Sequence, residues 1–262
     1  MLTDNLKELA IFDTHLHLGF ASSLFVKDSS DDVIITNLKE NGVVKAIFSH
    51  HSALYTIELG LQKILKTLEK FDDFLHAYLV FNPNFEKRSL EIIKNYYNSK
   101  NIAGVKIHPS WHFCYPDDER YEKFWKFVDS NNIVVLTHTW NPNVPNKAQK
   151  FSDPFFFDKI VKKYASVKLI LAHAGGVGEY LYKVVDLIEK NPNIYVDFAG
   201  GVFEPGLIEL YVNMVGSERL LFGTDTPWVD VRFCISYILN SDISQKDKKN
   251  IFCLNASRLF NI

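Results

Sequence analysis

Short runs rich in β-branched and aromatic residues recur along the chain, at residues 9–12, 43–48, 75–81, 103–107, 133–136, 167–171, 194–196 and 219–222. Each has the length and composition of a strand. Between them, apolar positions return with helical spacing: Ile57, Leu61, Ile64, Leu65 and Leu68 form one stripe, Tyr121, Phe124, Trp125 and Val128 a second, and Leu181, Val184, Val185 and Ile188 a third. Alternation of strand and helix through eight such runs predicts a parallel sheet with crossover helices. At 262 residues, eight units fit a closed (β/α)8 TIM barrel that takes up residues 1–262 as a single domain. An open, doubly wound sheet is the competing arrangement. It favours a Gly-rich phosphate turn after the first strand, and Asp13-Thr14-His15-Leu16-His17-Leu18-Gly19 is no such turn. Residues 244–260 predict a terminal helix with a charged start, its apolar face packed on the barrel.

Composition narrows the class of protein. A hydrophobic fraction of 47% supplies a sizeable core. With 29 Lys+Arg against 31 Asp+Glu, no wholesale basic face is available for nucleic acid. Cys114, Cys234 and Cys253 are too few and too scattered for a disulfide framework or a cysteine zinc site. The first residues lack the basic and apolar regions of a secretory leader, and no run of 18 apolar residues exists. The expectation is a cytoplasmic protein acting on a small molecule, without a membrane or nucleic-acid partner. Such barrels often form homo-oligomers, but no interface is legible in the sequence.

Histidine placement carries the chemistry. Of nine histidines, His15 and His17 follow the first strand run, His50 and His51 the second, His108 and His112 the fourth, His138 the fifth and His173 the sixth. His76 alone sits at a strand start. In a barrel the carboxyl ends of the strands converge on one mouth, where active sites are built. Residues two apart in a strand share a face, so His15 and His17 project together. The same parity turns Val105 and Ile107 toward the helices and Lys106 and His108 toward the barrel interior. An inward lysine is costly unless paired or chemically altered. Asp225 adds a carboxylate after the last strand. Neutral imidazoles and a carboxylate suit a divalent metal, which activates bound water near neutral pH.

This ordered set resembles the amidohydrolase superfamily of metal-dependent barrel enzymes, and the resemblance covers nearly the whole chain. It rests on His15-x-His17 after strand 1, on His138 and His173 after strands 5 and 6, and on Gly223-Thr224-Asp225 after strand 8, with Asn255-Ala256-x-x-Leu259-Phe260 in support. It implies His15, His17, His138 and Asp225 as metal ligands. His173 becomes a second-metal ligand or a group that orients water or substrate, and Asp225 becomes the proton shuttle. Ala172-His173-Ala174-Gly175-Gly176 and Gly223-Thr224-Asp225-Thr226-Pro227-Trp228 look most like the amidohydrolase-related branch, which mixes hydrolases with nonoxidative decarboxylases and usually holds one metal. Lys106-Ile107-His108-Pro109 is similar instead to the strand-4 segment of dihydroorotase-like enzymes, where a carboxylated lysine bridges two metals. On that likeness Lys106 is a bridging ligand; the residue by itself reads instead as a lysine paired with a carboxylate or as a binder of a substrate anion. Gly19 stands where dihydroorotases carry an arginine, which speaks against that activity itself.

The leading expectation is a hydrolase holding one or two divalent ions, zinc first among them. Metal-activated water attacks an amide, lactone or related bond, with Asp225 moving the proton and His173 steadying the developing charge. The alternative is a metal-dependent nonoxidative decarboxylase of a small aromatic or unsaturated acid. A phosphoester-cleaving barrel is a third reading, weakened by Lys106 and His108 where related deoxyribonucleases carry a glutamate. A noncatalytic binding barrel is a fourth. His108, Trp111, Trp140 and Trp228 are candidate substrate contacts, against the plainer reading that the tryptophans cover the barrel top. Arg120 and Arg232 are candidate carboxylate clamps. Residues 141–150 form a lid or a stiff surface loop, Gly200-Gly201 accommodates a phosphate or nothing, and Cys114 is a structural thiol. Of His50 and His51, one is expected in solvent, and His112 is expected at the surface.

Overall fold

The computed structural model describes residues 9–21 and 29–262. Eight strands form one sheet in chain order: β1 Ile11–Leu18, β2 Val43–His50, β3 Leu75–Val80, β4 Ile102–Ile107, β5 Val134–Thr137, β6 Lys168–Leu171, β7 Ile194–Asp197 and β8 Leu220–Leu221. All seven neighbouring pairs are parallel. The seam is closed by backbone bonds between β1 and the segment after β8. Thr14 N donates to Phe222 O at 2.9 Å, Thr224 N to His15 O at 3.1 Å and His17 N to Thr226 O at 2.8 Å. This is the (β/α)8 barrel that the alternation predicts.

The helical stripes become the inner faces of the surrounding helices. In α3, Ile57–Lys70, following α1, Asp31–Glu40, and α2, His51–Tyr55, residues Ile57, Ile64 and Leu68 are buried. The second and third stripes are wholly buried. They pack on the outward faces of the strands, including Leu16, Leu18, Val105 and Ile107.

A second, smaller core fills the lower barrel, from Phe12, Ile47, Tyr78, Val134, Leu136, Ile170 and Leu221. The chain end closes it from beneath. The predicted tail helix is present as Gln245–Lys249, a π-helical turn Asn250–Leu254 and a final helix Asn255–Phe260. Ala256 and Leu259 are buried in that inner core, and the Phe260 ring lies 6.3 Å from Phe12 and 6.2 Å from Tyr78.

The first strand is longer than predicted, and the difference has a cause. Phe12 faces inward while Leu16 and Leu18 face the helices, which strict alternation forbids. Register shifts between Ile11 and Phe12 and between Asp13 and Leu16 resolve the conflict. Such irregularities reverse which face a residue occupies. After the second shift the histidines, rather than the leucines, face the barrel axis.

Candidate metal centre and cavity

His15 and His17 lie within β1, not after it, and the seam sets Gly223-Thr224-Asp225 beside them. Asp13, fully buried within β1, locks this junction. Its carboxylate accepts from His15 N at 3.0 Å, Thr224 N at 3.1 Å and Thr224 Oγ1 at 2.6 Å. Asp225 N in turn donates to His15 O at 2.7 Å. Asp225 adopts φ 61° and His173 φ 62°, left-handed conformations rare in non-glycine residues. Such strain is found where the surroundings over-determine a functional side chain.

Among the described residues, ligand atoms of His15, His173 and Asp225 all lie within 4.8 Å of one another. The tautomers suit a metal. His15 Nδ1 donates to Asp197 Oδ2 at 2.9 Å and His173 Nδ1 to Ala199 O at 3.2 Å, which leaves both Nε2 atoms as lone pairs. His173 fits only because residue 200 is glycine. With φ +75°, Gly200 passes so close that a Cβ there would sit 2.2 Å from His173 Nδ1. Gly200 thus makes room for the histidine, whereas a Cβ at Gly201 would meet only Phe203 and Val229, at 3.9 and 4.0 Å.

The other predicted ligands border this trio. His17 Nε2 meets Asp225 Oδ1 at 3.0 Å, and its Nδ1 meets Ser49 Oγ at 3.0 Å. His138 Nδ1 faces His173 Nε2 at 3.1 Å, while its Nε2 donates to Gln149 Oε1 at 3.1 Å. In that tautomer two imidazole lone pairs meet, which a shared cation relieves. Lys106 Nζ lies 3.1 Å from His15 Nε2. The donor set therefore fits a divalent ion held by neutral imidazoles and one carboxylate.

Electrostatics agree with that fit. Burial, reinforced by the Lys106 ammonium, holds His15 well below the ordinary imidazole value and brings His17 and His138 to about 3. Burial takes His173 to about 4 against the pull of Asp225. Neutral imidazoles are the form that binds metal. Burial also lowers Lys106 to about 8, opposed by Asp197 and Asp225. It raises Asp13 to about 7 and Asp197 above the usual carboxylate range.

His173 and Asp225 of this cluster, with His17, His138 and Lys106, line a cavity of about 790 Å³. The candidate substrate contacts His108, Trp111, Trp140 and Trp228 all line it. His138 is stacked between His108, at 4.2 Å and 16°, and Trp140, at 5.9 Å and 10°. Trp111 packs edge-on against Tyr55, and Trp228 against His51. The wall is thus largely aromatic. The turn after β5 contributes Asn146, Ala148 and Gln149 to the lining.

Several expectations are corrected. His50 and His51 are both buried. His51 lines the cavity and bonds Gly19 O through Nδ1 at 2.9 Å, while His50 accepts from Ser52 N at 3.2 Å and caps α2. His112 is also buried, its Nε2 on Leu54 O at 3.1 Å. Arg120 and Arg232 do not line the cavity. Their guanidinium groups are paired with Asp118 and Asp230. Burial pushes the Cys114 thiol up to about 11, as suits a structural cysteine. Sequence reasoning missed Asp13, Asp197 and Gln149 at the site and left open which of His50 and His51 faces it; the structure places His51 there. The available signal was an aspartate directly following an apolar run, at 13 and at 197, since a buried carboxylate requires partners.

The amidohydrolase family model matches residues 55–262. The chain belongs to the amidohydrolase family. A gamma-resorcylate decarboxylase from Polaromonas sp. is 24% identical over 188 residues, covering 56% of each chain. A protein of the same name from Rhodococcus jostii is 22% identical over 185 residues, again covering 56% of each. The amidohydrolase chain thus spans about half the length of the curated relatives it matches. The crystal structure of a dihydroxybenzoic acid decarboxylase from Polaromonas sp., with bound manganese and the inhibitor 2-nitroresorcinol, superposes with a TM-score of 0.74 at 19% identity, covering 97% of both chains. That likeness is one of fold. Among the described residues of the amidohydrolase, no helix is long and apolar enough to cross a membrane.

Proposed function

We propose that the protein is a metal-dependent nonoxidative decarboxylase of a small aromatic acid. The observation that carries this reading is the cavity itself. An aromatic wall of His108, His138 and Trp140 is continuous with the lining residues His173, Asp225 and the buried Lys106, and His15 lies directly behind them, within ligand distance of His173 and Asp225. A flat aromatic ring suits such a wall, and a carboxylate suits the lysine and ligand cluster beside it. The names of the two relatives support the same choice and place the expected hydrolysis of an amide or lactone second.

When bound, a divalent ion supplies Lewis-acid attraction for the acid's oxygens. His15 and His173, with Asp225, would hold it, and His17 and His138 stand beside them. Manganese, present in the related structure, is the first ion to try ahead of zinc. Decarboxylation breaks the bond from ring carbon to carboxyl carbon, the ring carbon keeps the electron pair, and a proton must reach it. Asp225 is placed to hold that proton, with His17 Nε2 at 3.0 Å to steady its carboxyl group. His108, Trp140 and Trp228 orient the ring and exclude water from the carbon that is protonated.

The test is carbon dioxide release from hydroxybenzoic acids, 2,6-dihydroxybenzoate first, by manganese-loaded protein. Stoichiometric formation of the decarboxylated phenol is expected, and Asp225→Asn is expected to lower the rate at least a hundredfold. Hydrolysis of lactones or cyclic amides, with no carbon dioxide from any aromatic acid, would return the assignment to a hydrolase.

A further inference from the structure

We propose that Lys106 is the carboxylate-binding group of the cavity, and that an ion on His15 Nε2 frees it for that task. The choice of an aromatic acid as ligand rests on the decarboxylase reading. The exchange at His15 does not.

His15 Nδ1 gives its hydrogen to Asp197 Oδ2 at 2.9 Å, so Nε2 has a single lone pair to offer. In the structure that lone pair accepts from Lys106 Nζ at 3.1 Å. It can take the ammonium hydrogen or ligate an ion, not both. An ion there also repels the ammonium, strongly so in a buried site. Metal binding must therefore turn Lys106 away from His15.

The question is where the charge then goes. Asp197 is committed, since its carboxylate already accepts from His15 Nδ1, His173 N and Ala199 N. Asp225 belongs to the ligand trio and meets His17. Among the described residues, no carboxylate lies within 4.0 Å of Lys106 Nζ, whereas the arginines near the mouth are already paired with Asp118 and Asp230. Lys106 lines the cavity and is 1% exposed, so its outlet is the cavity itself. A ligand carboxylate set down there supplies the missing counter-charge.

Decarboxylation drains negative charge from the carboxyl group into the ring as the bond breaks. A cation holding that group therefore binds the acid before the reaction more than it assists the transition state. Lys106 is on this account a specificity-determining residue, selecting acids over their uncharged analogues, and its loss raises KM without lowering kcat.

The experiment uses Lys106→Met and Lys106→Gln in the full chain, with thermal melts to confirm folding. Calorimetric titration of the metal-free proteins with manganese should show about tenfold tighter binding in both variants, at unchanged stoichiometry, because a competing cation is gone. Manganese-loaded proteins are then titrated with benzoate and with its uncharged isostere benzamide. Both variants should lose at least tenfold in benzoate affinity and none in benzamide affinity. Weaker or lost manganese binding would overturn the proposal by making Lys106 a ligand, carboxylated or free. Equal losses for benzoate and benzamide would reduce Lys106 to packing, and absence of benzoate binding by the loaded wild-type protein would also overturn it. If benzoate selectivity collapses in the variants but no aromatic acid releases carbon dioxide, the decarboxylase reading fails and the role of Lys106 stands. If carbon dioxide is released and selectivity survives in both variants, the reverse holds.

Discussion

Asp197 shows how much of the site is built by residues that touch no substrate. It fixes the tautomer of His15 through Nδ1 and accepts the backbone N–H of His173, so it orients two members of the candidate ligand trio at once. Partners of this kind commonly govern metal affinity by ten- to a hundredfold. Asp197→Asn removes the charge and one good acceptor while nearly keeping the volume. The expected outcome is a folded protein whose manganese affinity, measured by calorimetry, falls by about that factor. Unchanged affinity would show that His15 is oriented by packing alone. At this scale the histidines were readable because they cluster at strand ends, and Asp225 because it follows Gly-Thr. Asp197 was not, because its partner His15 lies 182 residues away. Nor was the burial of His50 and His112, whose partners come from a cap and from a carbonyl of another element.

Two elements set the geometry of the barrel from its opposite ends. The irregular register of β1 allows Phe12 to fill the floor while His15 and His17 face the same interior higher up. At the other end, the final helix Asn255–Phe260 seats Ala256 and Leu259 against the floor of the barrel. This plug is structural, so its loss should cost stability without touching the metal centre. Leu259 is 6% exposed, and Leu259→Ala is expected to destabilise the protein by about 2–3 kcal/mol. Urea unfolding checks the magnitude, and manganese affinity should be unchanged. The eight strands and the terminal helix were legible from periodicity. The extension of β1 was not, since polar residues between apolar ones read as a loop until their buried partners are known.

For the whole molecule, the distribution of histidines has a consequence for acid stability. All nine are held below the free imidazole value, chiefly by burial, with the values that can be given lying near 3 to 4. Unfolding restores each to about 6.5. Below that pH the unfolded chain binds protons that the folded chain refuses, so stability falls as pH drops from about 6.5 toward the folded values. Asp13, Asp153 and Asp197 act in the opposite sense, because their raised carboxyls hold protons when folded that the unfolded chain has released. Three such groups do not offset nine. The urea midpoint of the metal-free protein is therefore expected to fall steadily between pH 7 and pH 5. A midpoint that is flat or rises over that range would contradict the buried, neutral state of the histidines.

The sequence by itself determined the eightfold alternation, the side of the barrel on which chemistry collects, and the residue types that could bind a metal. Those properties are periodic or local, so neighbours along the chain suffice to show them. Only the tertiary structure decided that Asp225 lies beside His17, that Asp197 holds His15 and His173, and that Lys106 shares the lone pair of His15. These contacts depend on barrel closure between β1 and the segment after β8 and on a register shift within β1. Both are set by the packing of the whole interior, where each buried polar group must find its partner across the sheet.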